Sequence, residues 1–170
     1  MMTDPHALLA YLDDLGIAHE TVWHDPLFTV AEGLEIKASM PGAHSKNLLL
    51  KDKTGALVLV SAEAHSKLRL NRLHKVLGTK RLSFASAEVL FDTLGVVAGS
   101  VTGFALVNDT AHKVRFVMEA ALAEAEFVNF HPLLNTGTTR VSQQDFRRFV
   151  TETGHEVEVV DFTLLEAEQS

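Results

Sequence analysis

The chain has 170 residues, 46% hydrophobic and 22% charged, with a formal net charge of −7 and no cysteine. That length and composition fit one globular domain over residues 1–170, and the missing cysteines exclude disulfides, thiolate metal sites and cysteine nucleophiles. No apolar run approaches the ~20 residues of a membrane span, and Met1-Met2-Thr3-Asp4-Pro5-His6 lacks the basic and apolar parts of a signal peptide, so a cytoplasmic location and no membrane partner are expected.

Asp4-Pro5 reads as an N-cap with proline in the first turn, and Leu8, Leu9, Leu12 and Leu15 follow at helical spacing up to Gly16. Ile17 to Trp23 reads as extended, and Pro26, Gly33, Pro41 and Gly42 punctuate the next stretch. Leu48-Leu49-Leu50 and Ala56 to Val60 flank Lys53-Thr54-Gly55, which predicts a hairpin. Leu70, Leu73, Val76 and Leu77 predict a short helix closed by Gly78, and Ser86 caps another through Leu90 and Leu94 to Gly95.

Phe104 to Val107 and Val114 to Met118 read as strands joined through a turn at Asn108-Asp109. Phe127 to Phe130 is a further strand that delivers His131 to its end, with a threonine-rich turn after Asn135. Ser142 with Asp145 resembles a capping box before the apolar stripe Phe146, Phe149 and Val150. Val157, Val159 and Val160 predict a last strand ahead of an acidic tail. The alternation implies a mixed α/β fold with much antiparallel pairing rather than regular parallel βαβ units.

Metal and nucleophile signals are weak. His19-Glu20-Thr21-Val22-Trp23-His24 comes near a zincin motif, but its histidines are five apart, which on a strand turns them to opposite faces. Ser45 lies between His44 and Lys46, yet sequence neighbours rarely form activating pairs, and no Gly-x-Ser-x-Gly elbow exists. The segment Gly95-Val96-Val97-Ala98-Gly99-Ser100-Val101-Thr102-Gly103 follows a predicted helix and precedes a predicted strand, so it is not a dinucleotide fingerprint. Its small residues either let backbone N–H groups approach a ligand or simply connect two elements.

Lys46 and Asn47 precede three leucines, which predicts a buried strand with Lys46 at its mouth. A lysine there supplies a charge for a phosphate or a polarised carbonyl; the alternative is an exposed strand end. Charge is unevenly spread. Residues 46–81 hold six lysines and three arginines against Asp52 and Glu63, a local balance of +7, so the remainder carries −14. One basic face on an acidic body favours a local polyanion contact, with scattered solvated side chains as the alternative.

The run Ser45-Lys46-Asn47-Leu48-Leu49-Leu50-Lys51-Asp52, the segment Gly95 to Asp109, and Phe130-His131-Pro132-Leu133-Leu134-Asn135-Thr136-Gly137-Thr138-Thr139 resemble the YbaK-type aminoacyl-tRNA editing domains. The similarity runs in order from about residue 5 to residue 160. It is nearest to freestanding prolyl-tRNA synthetase-associated members that deacylate alanyl-tRNA(Pro). The resemblance implies a curved, barrel-like, largely antiparallel mixed sheet flanked by helices, and hydrolysis of the ester joining an amino acid to the terminal ribose. It calls for no cofactor and no metal.

By the same resemblance Lys46 holds the terminal phosphate or the aminoacyl group, and Asn47 positions water. Gly99 and Gly103, with Ser100, Val101 and Thr102 between them, form the loop that approaches the ester. His131 lines the pocket, and Asn135 and Thr136 buttress it. Lys67, Arg69 and Arg72 of the basic window are the further candidates for gripping the acceptor end of tRNA(Pro). Ala98 and Gly103 stand where the family carries prolines, which predicts a looser loop. The chemistry suits a second sieve, because a synthetase pocket built for proline discriminates against smaller alanine by only about 1–3 kcal/mol per methylene. Prolyl-tRNA synthetase is a second candidate partner. Rival readings are a deacylase for cysteinyl-tRNA(Pro) and a non-catalytic module that binds tRNA or a synthetase. A DNA-binding regulator is disfavoured by the acidic bulk and the lack of a helix-turn-helix.

Overall fold

The computed structural model describes residues 2–26 and 30–164. In chain order the elements are α1 (Pro5–Asp14), β1 (Glu20–Trp23), α2 (Val30–Ser39), β2 (Ala43–Asp52), β3 (Leu57–Glu63), α3 (Leu70–Leu77), β4 (Leu82–Phe84) and α4 (Ala87–Leu94). A 3-10 helix (Gly103–Asn108) follows, then β5 (Val114–Glu119), α5 (Ala120–Ala123), β6 (Phe127–Phe130), β7 (Gly137–Ser142), α6 (Gln143–Glu152) and β8 (Val157–Val160). No helix among the described residues is long and apolar enough to cross a membrane. Most of the acidic tail (165–170) lies outside the described residues.

Local chemistry sets the helix ends. Asp4 accepts from the Ala7 N–H at 2.8 Å, Ser86 from Val89 at 3.1 Å, and Ser142 from Asp145 at 3.0 Å. Each bond satisfies an N–H that the first turn would otherwise leave without a partner. Gly78 and Gly95 end α3 and α4 with φ of 72° and 68°, a region that costs glycine least.

The stretch punctuated by Pro26, Gly33, Pro41 and Gly42 holds α2, which no sequence signal marked, and Asn108, expected in a turn, ends the 3-10 helix. Two further segments differ from expectation. Phe104 to Val107, expected as a strand, is part of the 3-10 helix, and Phe104, Ala105 and Leu106 are all buried. A short run apolar on every side carries no period to separate helix from strand, and packing decides it. The threonine-rich stretch after Asn135, expected as a turn, becomes β7 between β1 and β6.

All eight strands join one mixed sheet, in the order β1-β7-β6-β2-β3-β5-β8 with β4 beside β2. The pairs β1–β7, β6–β7, β2–β3 and β2–β4 are antiparallel, and β2–β6, β3–β5 and β5–β8 are parallel. The expected mixed, mainly antiparallel sheet is therefore present, but it does not close into a barrel: among the described residues β1 and β8 are its two ends.

Two apolar clusters flank the sheet. The larger joins Leu8, Leu12, Leu49, Leu59, Phe104, Phe116, Phe130, Phe146 and Phe149, and the smaller joins Leu50, Val58, Val60, Ala62, Leu73 and Leu77. In the larger, the Phe130 and Phe146 rings stack at 4.2 Å, while Phe104 meets both edge-on at 5.6 Å. Each such pair adds about 0.5–1.5 kcal/mol beyond area burial and fixes the backbone just before His131.

The strand β2 has an unusual neighbourhood. One edge pairs with β3 from Ser45 to Lys51. The other pairs with β6 at Ala43 and His44, then with β4 from Leu50 to Asp52. Ser45 to Leu49 therefore lie between two ladders, where the sheet splits.

Candidate active site

Strand alternation turns Lys46, Leu48 and Leu50 to one face of β2 and Ser45, Asn47 and Leu49 to the other. The leucines record this, since Leu50 belongs to the smaller cluster and Leu49 to the larger. Lys46 and Asn47 thus leave the split in opposite directions. The Lys46 ammonium donates to the carbonyl of Ser66, in the turn after β3, which among the described residues leaves two of its three N–H groups for a ligand.

Asn47 is held from both ends: its Nδ2 donates to Ser45 Oγ at 3.1 Å, and its Oδ1 accepts from the Ser61 hydroxyl. One N–H of its amide remains. The Ser45 hydroxyl gives its proton to the Asn129 carbonyl at 2.8 Å, while the nearest histidine in sequence, His44, bonds Met40 O at 2.9 Å. No base therefore holds the Ser45 proton, the arrangement that a serine nucleophile requires.

The second wall is the loop after α4. The Ser100 N–H closes a turn onto Val97 O at 3.0 Å, with Gly99 at φ 90° and exposed. Ser100 is buried, and its hydroxyl accepts from the Asn135 N–H at 3.1 Å. The loop and the stretch after His131 are thereby joined.

His131 supplies the third wall. Its Nδ1 lies 2.8 Å from the Gly137 carbonyl, which only accepts, so Nδ1 carries the proton and Nε2 is left an acceptor. Burial lowers its pKa below the ordinary 6.5, opposed by the Gly137 bond and aided by nearby His24. His131 is therefore a neutral imidazole at physiological pH. His24 itself bonds Thr138 Oγ1 at 2.8 Å, whereas His19 pairs with Asp13 at 2.8 Å, so the two ends of the near-zincin run face different partners.

These walls enclose a cleft of about 250 Å³, lined among the described residues by Ser45, Lys46, Asn47, Gly99, Val101 and His131. It lies below the ~300–1,000 Å³ of pockets for drug-sized ligands and suits a smaller group. Lys46 also lines a wider cleft of about 830 Å³ with Ser66, Lys67, Arg69 and Asn71. A third, of about 780 Å³, begins where the second ends: it shares Leu70 and Asn71 with it and adds Lys51, Lys53, Arg81 and the exposed ring of Phe84.

The residues read from sequence divide accordingly. Lys46, Asn47, Gly99, Val101 and His131 meet in the small cleft, and Lys67 and Arg69 lie in the adjoining basic one. Ser100 and Asn135 stand behind the wall, joined to each other. Thr102 is buried and caps the 3-10 helix through the Phe104 N–H at 3.3 Å. Thr136 gives its carbonyl to the His24 N–H at 2.8 Å. Arg72 lines neither cleft, and its Nη1 is buried without a hydrogen-bond partner among the described residues.

Gly103 is also absent from the lining. A Cβ there would stand 2.6 Å from Phe146 Cζ, so its small size serves core packing, with the aromatic cluster filling the space that a proline ring would need. The additional cations Lys51, Lys53 and Arg81 were visible only as part of the charge count. Nothing local in the sequence says that β4 returns to lie beside β2 and aligns them.

The aminoacyl-tRNA editing domain model matches residues 24–149, spanning β2, the glycine loop and the His131 corner. This chain belongs to the aminoacyl-tRNA editing domain family. The editing-domain relatives include the prolyl-tRNA synthetase associated domain-containing protein 1 of Xenopus laevis, 39% identical over 91% of this chain and 95% of that protein. The prolyl-tRNA editing protein ProX of Acetoanaerobium sticklandii is 31% identical over 94% of this chain and 98% of its own length. Among solved structures, a candidate trans-editing enzyme for prolyl tRNA synthetase superposes with a TM-score of 0.70 over 95% of this chain and 98% of that one, at 16% identity. That match supports the editing-domain fold.

Proposed function

We propose that this chain is an aminoacyl-tRNA deacylase that acts in trans and hydrolyses alanyl-tRNA(Pro). The observation that carries the reading is the sharing of Lys46 between the small cleft and the wide basic one. An aminoacylated 3′ end has the same two parts, a compact acyl group and a polyanionic chain, joined at the ester. The small cleft takes the acyl group, and Lys67, Arg69, Lys51, Lys53 and Arg81 address phosphates behind it. Similarity to a protein named for prolyl-tRNA editing supports tRNA(Pro) as the carrier, with prolyl-tRNA synthetase as a further partner.

In this mechanism water adds to the ester carbonyl carbon, and the ribose oxygen leaves with a proton, giving free alanine and tRNA with its terminal hydroxyls restored. Lys46 polarises the carbonyl, the remaining Asn47 N–H orients water, and the backbone at Gly99 lies close to the developing oxyanion. The neighbouring ribose hydroxyl relays the proton, with His131 Nε2 as the acceptor of the protein wall. An ester is already activated, so these groups suffice.

The test is deacylation of alanyl-, prolyl- and cysteinyl-tRNA(Pro) by wild type and Lys46→Ala. Loss of alanine alone, abolished in the variant, is the expected result. Loss of cysteine instead keeps the site and overturns the substrate, and no hydrolysis favours a binding module. A terminal nucleotide whose free vicinal hydroxyl is replaced by hydrogen checks the relay, because full retained activity would exclude it.

A further inference from the structure

The Lys46 ammonium does not rest on a free surface turn. It donates to the carbonyl of Ser66, and the hydroxyl of the same Ser66 donates to Glu119 Oε1 at 2.6 Å. The same carboxylate oxygen accepts the Glu63 N–H at 2.8 Å. Glu119 is the last residue of β5, 6% exposed, and 53 residues along the chain from Ser66.

Three features separate this from ordinary turn closure. The turn already closes itself, since the Ser66 N–H bonds the Glu63 carbonyl at 3.0 Å. Glu119 occupies the N-cap position of α5 yet makes no side-chain cap bond to it. Burying a carboxylate is also expensive unless its acceptors are used, and both donors found here belong to the one turn that holds Lys46.

We propose that Glu119 is a positioning residue for Lys46: through the Ser66 turn it fixes the point in the two clefts where the ammonium sits. This rests on the proposed role of Lys46 in ester hydrolysis. A lysine on a flexible four-carbon stem needs such a second anchor if its charge is to meet a reacting carbonyl at one place. Ser66 is the bridge, with its hydroxyl fixed by the core and its carbonyl presented to the ammonium.

The test compares Glu119→Ala, Glu119→Gln and Ser66→Ala in the full chain with two readouts. The first is kcat and KM on alanyl-tRNA(Pro). Glu119→Ala and Ser66→Ala are expected to lose about 10- to 100-fold in kcat with a smaller change in KM, because misplacement by about an ångström costs that much. Glu119→Gln, which keeps an acceptor oxygen, is expected to retain activity within about threefold. Combining Glu119→Ala with Lys46→Ala should add nothing to Lys46→Ala alone. The second readout is the rate at which an acetyl N-hydroxysuccinimide ester modifies Lys46 relative to exposed Lys51 in the same molecule, followed by peptide mass spectrometry. Release of the turn should raise that ratio severalfold in the two alanine variants and leave it unchanged in Glu119→Gln. An unchanged ratio in folded Ser66→Ala, or additive losses in the double variant, would overturn the proposal. If wild type hydrolyses no aminoacyl-tRNA, the functional reading falls, and the Lys46 modification ratio alone still decides the role of Glu119.

Discussion

The N–H of Asn135 donates to the buried Ser100 hydroxyl at 3.1 Å, and this bond ties the glycine loop to the stretch that follows His131. Two walls of the small cleft, 35 residues apart in sequence, are thereby held at one separation.

Ser100→Ala removes the acceptor and leaves the Asn135 N–H without it, a cost of about 1–3 kcal/mol. Denaturant unfolding should show that loss. The cleft should also widen, so hydrolysis of prolyl-tRNA(Pro) relative to alanyl-tRNA(Pro) should rise. An unchanged ratio of the two kcat/KM values would mean that this bond does not set pocket width.

The two glycines of the loop should respond differently to alanine. At Gly99, φ of 90° strains any side chain by about 1–3 kcal/mol, a new Cβ would stand 3.6 Å from Asn135 Nδ2, and the strained backbone lines the cleft, so kcat should fall by at least about tenfold. At Gly103 the new methyl meets Phe146, an overpacking cost of about 1–3 kcal/mol, and kcat measured well below the melting point should change little. Melting curves and initial rates on both variants check this.

Acid should act in two separate windows. Burial lowers the pKa of both His131 and His44 below 6.5. As pH falls through 6.5 the unfolded chain gains protons there before the folded one does, so stability is complete above that value and declines below it. The Arg115 hydrogen bond lowers the Glu158 pKa from its ordinary 4.5. Its contribution persists above 4.5 and is lost only as pH falls through the lowered value. Unfolding midpoints measured from pH 8 to 3 should fall in two stages, and His131→Gln with His44→Gln should flatten the upper one. The acid limb of kcat/KM should likewise lie below 6.5 if neutral His131 is required.

Asp109→Ala should be the most damaging of these changes to the fold. Asp109 is buried, accepts from the Val114 N–H at 2.9 Å, and lies 2.8 Å from His155 Nε2. Removing the carboxylate leaves the Val114 N–H and the His155 ring without their acceptor, at about 1–3 kcal/mol for each buried group. A loss below about 1 kcal/mol in denaturant unfolding would refute that weight.

Asp109 also shows where sequence reading stops. Asn108-Asp109 read as a turn between strands, but Asn108 ends the 3-10 helix and the turn begins at Asp109, whose carbonyl accepts the His112 N–H at 3.1 Å; the partner of its side chain, His155, lies 46 residues on and no spacing announces it. Helix ends were legible because Asp4, Ser86, Ser142, Gly78 and Gly95 act on groups within one turn. No alternation of apolar and polar residues marks β7: Thr138 and Thr139 looked turn-prone, and they become buried only because β1 and β6 close over them. Lys46, Asn47, Gly99 and His131 were nameable from family resemblance, not from any rule of spacing. Gly103 had the same motif support, yet its role is decided by Phe146, far along the chain in α6.

The split beside β2 also limits what this strand can tolerate over evolutionary time. Neighbouring side chains there leave opposite faces of the strand, Lys46 shared between the small cleft and the basic one and Asn47 locked to Ser61 on the other face. A single inserted or deleted residue before Ser45 would trade those directions, sending the amide to where the cation belongs. A length change would have to be matched by a compensating one within the same strand. Lineages that alter amino-acid taste are therefore expected to do so from the loop side, at Val101 and its neighbours, with the spacing of β2 held constant.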